Sequence, residues 1–351
     1  MKQTPTALFI INTEGQVHTW KNVIALLEDW GWRTRVLARD YHSTLRLLEE
    51  LGIEHVPAPS MRFRAGKPFE LASRLLRPRV SAMAGSADVV VGFGVDAALL
   101  AFLHRKPCVV FSDSECVRTQ NRAASRLGAY IVTPHCFEDG LGHRHSRVLG
   151  YKELAYLHPD RFRPAPSPVG TSHGMPPARL FLLRLNAFAG FHDIGARGIS
   201  SGAQRQLVGQ LSGLGTVLVS SESPLPHDLK PHAADFPLSL IHDAIWHANL
   251  VVCDTGTMAT EAAVLGTPVV HCRTLAGSPP EGNFRELAEK YHLLIHYPAD
   301  KEDEAVQAAI RLASDGGAKE EWRRRRDVML EEMEDVALSL ARRVRDAVAP
   351  V

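Results

Sequence analysis

A short polar turn separates an apolar run from a compact helix in the second half of the chain. The run is Leu250–Cys253, the turn is Asp254-Thr255-Gly256-Thr257, and the predicted helix extends from Met258 to Leu265. The first N–H groups of a helix have no partners within it and carry the positive end of its dipole. This turn can therefore seat a phosphate or a diphosphate. An ordinary strand–helix connection with a capping Thr is the alternative.

Glu261 lies four residues after Thr257, so it projects from the same face of the predicted helix, one turn further along. A carboxylate there is badly placed for a phosphate but well placed to accept two hydrogen bonds from a ribose diol. Glu261 could therefore accept hydrogen bonds from a ribose next to a phosphate group held by the turn. A Glu exposed to solvent is the alternative.

Further polar residues follow predicted strands in both halves of the chain. Asp113 and Glu115, after Cys108–Phe111, could bind sugar hydroxyls or a metal, or cap the next helix. Lys152, after Arg147–Leu149, could neutralise a diphosphate or pair with Glu153 at a hinge.

In the second half, Arg184 ends an otherwise apolar strand and needs an anionic partner, either a ligand or an internal carboxylate. Ser221 and Glu222 close the next strand and could hydrogen-bond a base or a ribose.

These polar groups depend on an alternation of short apolar runs and helices along the whole chain. The alternation predicts an α/β fold with two Rossmann-like, doubly wound parallel-sheet domains. Six prolines between Pro159 and Pro177 indicate a linker. We predict an N-terminal domain at 1–160, a Pro-rich linker at 161–178, a C-terminal domain at 179–320 and a terminal helix at 321–351. Ligands bind beyond the carboxyl ends of such strands, so we expect the site in a cleft between facing domains.

Two predicted helices have unusual features, a proline within one of them and the length of the other. A helix predicted at Phe69–Ala84 is broken or kinked by Pro78. Apolar residues from Trp322 to Ala347 recur mostly at spacings of three and four, which predicts one long final helix.

Composition narrows the functional classes. With 40 Lys and Arg against 39 Asp and Glu, the net charge of +1 favours neither nucleic acid nor a membrane surface. The five cysteines form no Cys-x-x-Cys pair, which argues against a zinc site and indicates a reducing, cytoplasmic location. The most apolar window, Val89–Leu103, is interrupted by Asp96 and is too short for a transmembrane segment. No metal ligand set is predicted: the histidines lack zinc-binding spacing, and His135, Cys136, His143 and His145 occupy one irregular loop.

The segment from Asp254 to Pro268, read DTGTMATEAAVLGTP, resembles the C-terminal signature of GT-B-fold proteins. It is most similar to that of the non-hydrolysing UDP-N-acetylglucosamine 2-epimerases and the peptidoglycan N-acetylglucosaminyltransferase. The whole chain also resembles a narrower GT-B-like family, with a domain of unknown function, at several segments. These are Ala38-Arg-Asp40, Gly150 to Leu157, Ser220-Ser-Glu222 with Leu225-Pro226, and Ile241-His242.

The resemblance implies roles for individual residues. It assigns the diphosphate to Thr255, Gly256 and Thr257 and the ribose to Glu261, and it implies that the final helix crosses back to the N-terminal domain. His242 occupies the place where this fold usually contacts the nucleobase; a core or capping His is the alternative. Glu115 acquires a site role because the narrower family's pattern has a Glu there.

The acceptor base also follows from the resemblance. It points to His18 in the loop after the first strand, with Glu14 as the second choice, and a near-neutral imidazole suits a general base. Local hydrogen bonding by His18 is the alternative. His192 and Asp193 lie where the epimerases carry His-Arg-x-Glu-Asn, which this chain lacks, and Gly256-Thr257 and Thr260 replace the epimerase turn's Gly-Gly and first Glu. Those departures weaken an epimerase assignment.

The predicted function is a metal-independent glycosyltransferase with a nucleoside-diphosphate sugar, expected to be a UDP-sugar, as its substrate and with no tightly bound cofactor. A UDP-sugar 2-epimerase or hydrolase, using Asp113, Glu115 and His192, is one alternative. A non-catalytic nucleotide-sugar-binding protein is the other. The acceptor is open, as is formation of a homodimer, and no nucleic-acid partner or transmembrane segment is expected.

Overall fold

The computed structural model describes residues 4–58, 77–169, 179–186, 197–221, 223–274 and 282–349. The chain divides into two compact units. Unit 1 contains residues 1–162 and 334–351, and unit 2 contains residues 163–333. The linker predicted at 161–178 is described only as far as residue 169.

The described part of unit 1 contains a sheet of seven parallel strands in the order β3-β2-β1-β4-β5-β6-β7. The strands are β1 Thr6–Ile11, β2 Arg33–Arg39, β3 Val56–Ala58, β4 Val89–Gly92, β5 Cys108–Phe111, β6 Tyr130–Pro134 and β7 His145–Val148. The order reverses between β1 and β4, as in a doubly wound sheet.

Helices follow most strands of unit 1. They are Glu14–Asp29, Thr44–Glu50, Pro78–Gly85, Val95–Leu103, Arg118–Arg126, Leu154–Leu157 and Val336–Asp346, with a 3-10 turn at Glu115–Val117. Alternate strand residues such as Leu8, Ile10 and Val90 form one buried cluster with Ala97 and Leu100 of the Val95–Leu103 helix. Residues of the opposite parity pack on the other face, where Phe9 contacts Trp20 with ring centroids 5.6 Å apart.

The described part of unit 2 contains a sheet of five parallel strands in the order β12-β11-β10-β8-β9. The strands are β8 Leu180–Leu185, β9 Thr216–Ser221, β10 Leu250–Cys253, β11 Val269–Cys272 and β12 Ile295–Tyr297. Its helices are Ser201–Ser212, Ile241–His247, Gly256–Leu265, Gly282–Arg285 continuing into a π-helical turn at Glu286–Lys290, Glu302–Ser314 and Ala318–Glu331. Single 3-10 turns occur at Lys230–His232, Leu238–Leu240 and Ala299–Lys301.

The core of unit 2 lies on both faces of this sheet. Phe181, Leu183 and Leu185 of β8 cluster with residues of the Ser201–Ser212 and Glu302–Ser314 helices. Because side chains alternate along a strand, Leu182 and Arg184 project from the opposite face. All four residues of β10 are buried, as expected of a parallel strand covered on both faces. The predicted α/β class with two parallel-sheet domains is confirmed.

The C-terminal region differs from the single long helix predicted from Trp322 to Ala347. It forms two helices, Ala318–Glu331 in unit 2 and Val336–Asp346 in unit 1. Asp335 begins the second helix because its side chain accepts from the N–H of Leu338 at 3.1 Å. The same carboxylate accepts from Arg161 at 2.5 Å. Tertiary contacts therefore interrupt a pattern that is periodic on both sides of the break.

The Pro78 prediction is also modified. Within the described residues the helix starts at Pro78 and ends at Gly85, so the proline occupies the first helical position. A proline is well tolerated there because its missing N–H has no helical partner to lose. No helix of the described residues is both long enough and apolar enough to cross a membrane.

Candidate functional site

The strand order of unit 2 reverses at β8, which has β9 on one side and β10 on the other. Right-handed connections then send the helices after β8 and β10 to opposite faces of the sheet. The loops after these two strands separate at this point and leave a crevice at their carboxyl ends, where ligands of doubly wound sheets bind. Residues following β8 and β10 are therefore the first candidates for a binding site.

The polar turn after β10 begins a ten-residue helix, Gly256–Leu265. The carbonyl of Thr255 accepts from the N–H of Ala259 at 3.2 Å, so the helical ladder starts at Ala259. The N–H groups of Gly256, Thr257 and Met258 precede that ladder. Thr255, Gly256 and Thr257 are partly exposed, whereas every residue from Met258 to Leu265 is buried. The amide end of a buried helix therefore reaches the surface at the strand reversal, where it can contact an anion.

Thr255 occupies the N-cap position with an extended backbone, φ −107° and ψ 127°, but its side chain makes no capping hydrogen bond. Its Oγ1 atom is buried and has no hydrogen-bond partner among the described residues. A buried hydroxyl without a partner is costly, so its presence calls for an explanation such as a water, an ion or a ligand. The hydroxyl and the neighbouring amides together form a set of donors at one end of the helix.

Asp254 is 1% exposed and lies at the end of β10. Its carboxylate accepts from the backbone N–H groups of Asn186 at 2.7 Å and Ile199 at 3.4 Å. Burial raises the pKa of Asp254 to about 6, although both N–H groups favour the charged form. Asp254 thus joins the two loops at the strand reversal.

Arg184 brings a positive charge to the same edge of the sheet. In the strand register it lies between Cys253 of β10 and Ser220 of β9. Its guanidinium donates to Ser220 Oγ at 2.8 Å. Ser221, the last residue of β9, accepts from the N–H of Ser223 at 3.2 Å through its hydroxyl. Arg184 therefore lies at the edge of the sheet where the Asp254–Thr257 turn begins. The Ser221 hydroxyl instead stabilises the turn that follows β9.

Glu261 and His242 are paired. The imidazole Nε2 of His242 lies 3.0 Å from Glu261 Oε1. His242 is 1% exposed and Glu261 is 5% exposed. The sequence predicted contacts of both residues with the nucleoside, but it did not predict that they contact each other.

The predicted base candidates lie on one helix of unit 1. Glu14 is its first residue, and its carboxylate accepts from the N–H of Ser43 at 2.7 Å. His18 is 5% exposed, and its ring stacks on Tyr156 with centroids 5.4 Å apart. Glu14 is thus the more accessible of the two.

A second charged cluster lies at the carboxyl ends of β5 and β7. Lys152 Nζ is 2.5 Å from Asp113 Oδ2 and 3.5 Å from Glu153 Oε1. Glu115 lies two residues beyond Asp113, in the 3-10 turn. Two carboxylates of unit 1 therefore neutralise Lys152, which was predicted to contact a diphosphate.

Sequence reasoning did not identify one polar pair at the strand reversal of unit 1. Asn12 follows β1, and its amide donates to Asp96 Oδ2 at 2.8 Å. Asp96 is 7% exposed and lies in the first turn of the Val95–Leu103 helix after β4. The sequence feature that could have identified Asp96 is its charge, which interrupts the most apolar window of the chain.

Three predicted residues, His192, Asp193 and Glu222, lie outside the described residues. The structure therefore assigns them no environment. The other predicted residues of unit 2 fall into two groups: Thr255, Gly256, Thr257, Asp254 and Arg184 at the strand reversal, and Glu261 with His242 between two helices.

No family model matches the chain, and no curated protein matches it. Solved structures resemble it over nearly its whole length. Spinosyn forosaminyltransferase SpnP matches with a TM-score of 0.64 at 12% identity, over 99% of this chain and 100% of its own. A protein from Listeria monocytogenes, described as a UDP-N-acetylglucosamine 2-epimerase, matches with a TM-score of 0.63 at 13% identity. The match covers 99% of this chain and 96% of the Listeria protein.

A third match includes a nucleotide. Glycosyltransferase SsfS6 of Streptomyces sp. SF2575, complexed with thymidine diphosphate, matches with a TM-score of 0.61 at 17% identity, over 97% of this chain and 99% of its own. At these identities the similarity establishes the fold alone. The chain has a GT-B-like fold, as its resemblance to the GT-B proteins implied.

Proposed function

We propose that the chain is a glycosyltransferase that takes a sugar from a nucleoside-diphosphate sugar, expected to be a UDP-sugar. The observation that carries this proposal is the exposed amide end of the Gly256–Leu265 helix at the β8–β10 strand reversal. That end offers N–H donors and the positive end of the helix dipole to a diphosphate. Partly exposed Arg184 adds a full positive charge on the neighbouring strand.

The same groups would act in the chemical step. Cleavage of the bond between sugar and diphosphate leaves negative charge on the departing oxygen. Fixed donors aimed at that charge lower the barrier because they need no reorganisation. Amides and a guanidinium can supply this stabilisation, so we propose that the transfer is independent of a metal.

Unit 1 is proposed to provide the base that deprotonates the acceptor hydroxyl. A base must contact the acceptor, so we place partly exposed Glu14 ahead of His18, whose ring is buried against Tyr156. Glu115 is the third candidate. Replacing Glu14 with Gln should lower kcat by about 100-fold or more and leave donor affinity unchanged. Exposed Glu49, replaced in the same way, is the matched control.

The named structural matches support a sugar nucleotide. SpnP is a forosaminyltransferase, and SsfS6 is a glycosyltransferase complexed with thymidine diphosphate. They are consistent with a nucleoside diphosphate as the product, and they do not identify the base for this chain.

The first experiment is a calorimetric titration of the full chain with uridine, thymidine, guanosine and adenosine diphosphates. We expect at least one to bind, with uridine diphosphate the tightest. A ligand selective for the native state should also raise Tm. Absence of binding to all four would refute the proposal.

The second experiment identifies the product. A sugar nucleotide incubated with candidate acceptors should release free nucleoside diphosphate, and EDTA should leave the rate unchanged. Release without an acceptor would indicate a hydrolase. An altered sugar still attached to its nucleotide would indicate an epimerase, and either result would contradict transfer as the main reaction.

A further inference from the structure

Glu261 and His242 form a buried ion pair or hydrogen bond between two helices of unit 2. Their side chains are 7% and 2% exposed, and Nε2 and Oε1 are 3.0 Å apart. His242 lies on the Ile241–His247 helix, and Glu261 lies in the second turn of the Gly256–Leu265 helix that packs against it. A carboxylate that is this buried requires hydrogen-bond donors.

The direction of the hydrogen bond follows from chemistry. An ionised carboxylate only accepts hydrogen bonds, so the imidazole donates through a proton on Nε2. A hydrogen bond to a ring with few rotatable bonds restricts rotation of the flexible Glu side chain. The contact uses one acceptor position of Oε1, and an ionised carboxylate has about four such positions.

The position of Glu261 connects this pair to the proposed donor site. Side chains on a helix tilt toward its N terminus and cover the preceding turn. Glu261 lies four residues after Thr257, so its carboxylate is carried back toward the turn proposed to hold the diphosphate. In a bound nucleoside diphosphate, the ribose is the group adjacent to the diphosphate.

We propose that His242 is a positioning residue: it holds Glu261 in the orientation that accepts a ribose hydroxyl of the donor, and it does not itself contact the nucleotide. This inference rests on the proposed function, because it requires a nucleoside diphosphate at the Thr255–Thr257 turn. It assigns His242 a role that differs from direct contact with the base, and it couples donor affinity to a residue beyond the ligand.

The test compares two ligands, uridine diphosphate and its 2′,3′-dideoxy analogue, which lacks both ribose hydroxyls. Wild type should bind uridine diphosphate about tenfold more tightly, as expected for one hydrogen bond to a charged group. His242→Leu removes the donor and should reduce this preference to about twofold, while affinity for the analogue stays the same. His242→Gln retains an N–H donor at the position of Nε2 and should restore the preference.

Further variants keep the inference testable if His242→Leu does not fold. His242→Asn is polar but too short to reach Glu261. It should show the same reduced preference as His242→Leu and can replace that variant if His242→Leu does not fold. Glu261→Ala should abolish the preference, and adding His242→Leu to it should cause no further loss. His232→Gln, in a 3-10 turn of the same unit, is the matched control and should keep the wild-type preference.

The failures are distinguishable. If wild type binds none of the four nucleoside diphosphates, the proposed function fails and this inference fails with it. If wild type prefers the hydroxylated ligand and His242→Leu or His242→Asn weakens both ligands equally, His242 has only a structural role. An unchanged preference in both variants would likewise overturn the inference and leave the proposed function intact.

Discussion

The carboxylate of Asp254 accepts a hydrogen bond from the backbone N–H of Asn186 at 2.7 Å, which joins the end of β10 to the end of β8. These strands are neighbours in the sheet, and the reversal of strand order lies between them. The contact places a buried acid at the base of the proposed donor site. Burial raises its pKa from 3.8 to about 6, so Asp254 has consequences for both stability and pH dependence.

Replacing Asp254 with Asn should change how stability depends on pH. A carboxyl with a raised folded-state pKa stabilises the fold below its unfolded pKa, near 4, and loses that contribution as pH rises through about 6. Between pH 4.5 and 7.5, wild type should therefore lose about 2 kcal/mol relative to Asp254→Asn, which has no such titration. Chemical denaturation of both proteins across this range measures the difference. A difference that does not vary with pH would contradict the raised pKa.

Replacing Thr255 with Val should affect stability and binding in opposite directions. The Oγ1 atom is buried, has no partner among the residues that the structure describes and makes no capping bond, so an isosteric methyl removes an unfavourable group. The ligand-free protein should become more stable by about 0.5–1 kcal/mol. The hydroxyl is also proposed to donate to the diphosphate, so affinity for uridine diphosphate should fall about fivefold or more.

Thr255→Ser keeps the hydroxyl and provides the control. Its affinity should exceed that of the Val variant, measured by calorimetry under the same conditions. A Val variant that loses stability in the absence of ligand would show that Oγ1 has a partner in the folded chain.

A proline at position 256 should remove a single donor from the helix terminus. Gly256 is the first helical residue, where proline is tolerated, and the extended backbone of Thr255 suits a residue that precedes proline. Gly256→Pro therefore deletes one N–H with little change in the helix. Gly256→Ala adds a Cβ 3.4 Å from the Phe284 ring but keeps the N–H.

Nucleoside-diphosphate affinity should be about tenfold lower in Gly256→Pro than in Gly256→Ala. Far-ultraviolet circular dichroism and Tm of the two variants should agree, which separates loss of a donor from loss of the helix. Equal affinities would show that this N–H does not contact the ligand.

The sequence predicted the elements of the proposed donor site better than its internal contacts. The apolar run of β10, the Gly256–Leu265 helix and its end at Gly266, which adopts the left-handed φ of 69°, follow from local pattern. The contact of His242 with Glu261 joins residues 19 positions apart, and that of Lys152 with Asp113 joins residues 39 apart. Such pairs depend on helix packing and strand order, which a periodic pattern does not encode.

The end of the chain shows the same limit. Its apolar spacing continues from Trp322 to Ala347, yet Glu334 donates its N–H to the carbonyl of Leu149 at 2.7 Å and leaves the helical ladder. Asp335 then caps a new helix. A local pattern could predict the apolar face of both helices, but the break depends on residues nearly two hundred positions earlier in the chain.

Replacing Lys152 should reveal whether its charge supports the fold or the donor. Its ammonium contacts Asp113 and Glu153, and its side chain is 12% exposed. Lys152→Met removes the cation that these two carboxylates share and should lower the free energy of unfolding by about 3 kcal/mol at pH 7. Lys152→Met combined with Asp113→Asn should recover part of the stability, since one of the two acids is then neutral.

The affinity of Lys152→Met for uridine diphosphate decides between the two roles. We expect the affinity to remain within about threefold of wild type, because two carboxylates of unit 1 already pair with the lysine. Loss of a direct contact with the diphosphate, at about 1.4 kcal/mol, would lower the affinity about tenfold. Calorimetry on the folded variant measures this directly. A tenfold loss of affinity with little change in stability would instead place Lys152 at the diphosphate, as its position after β7 suggested.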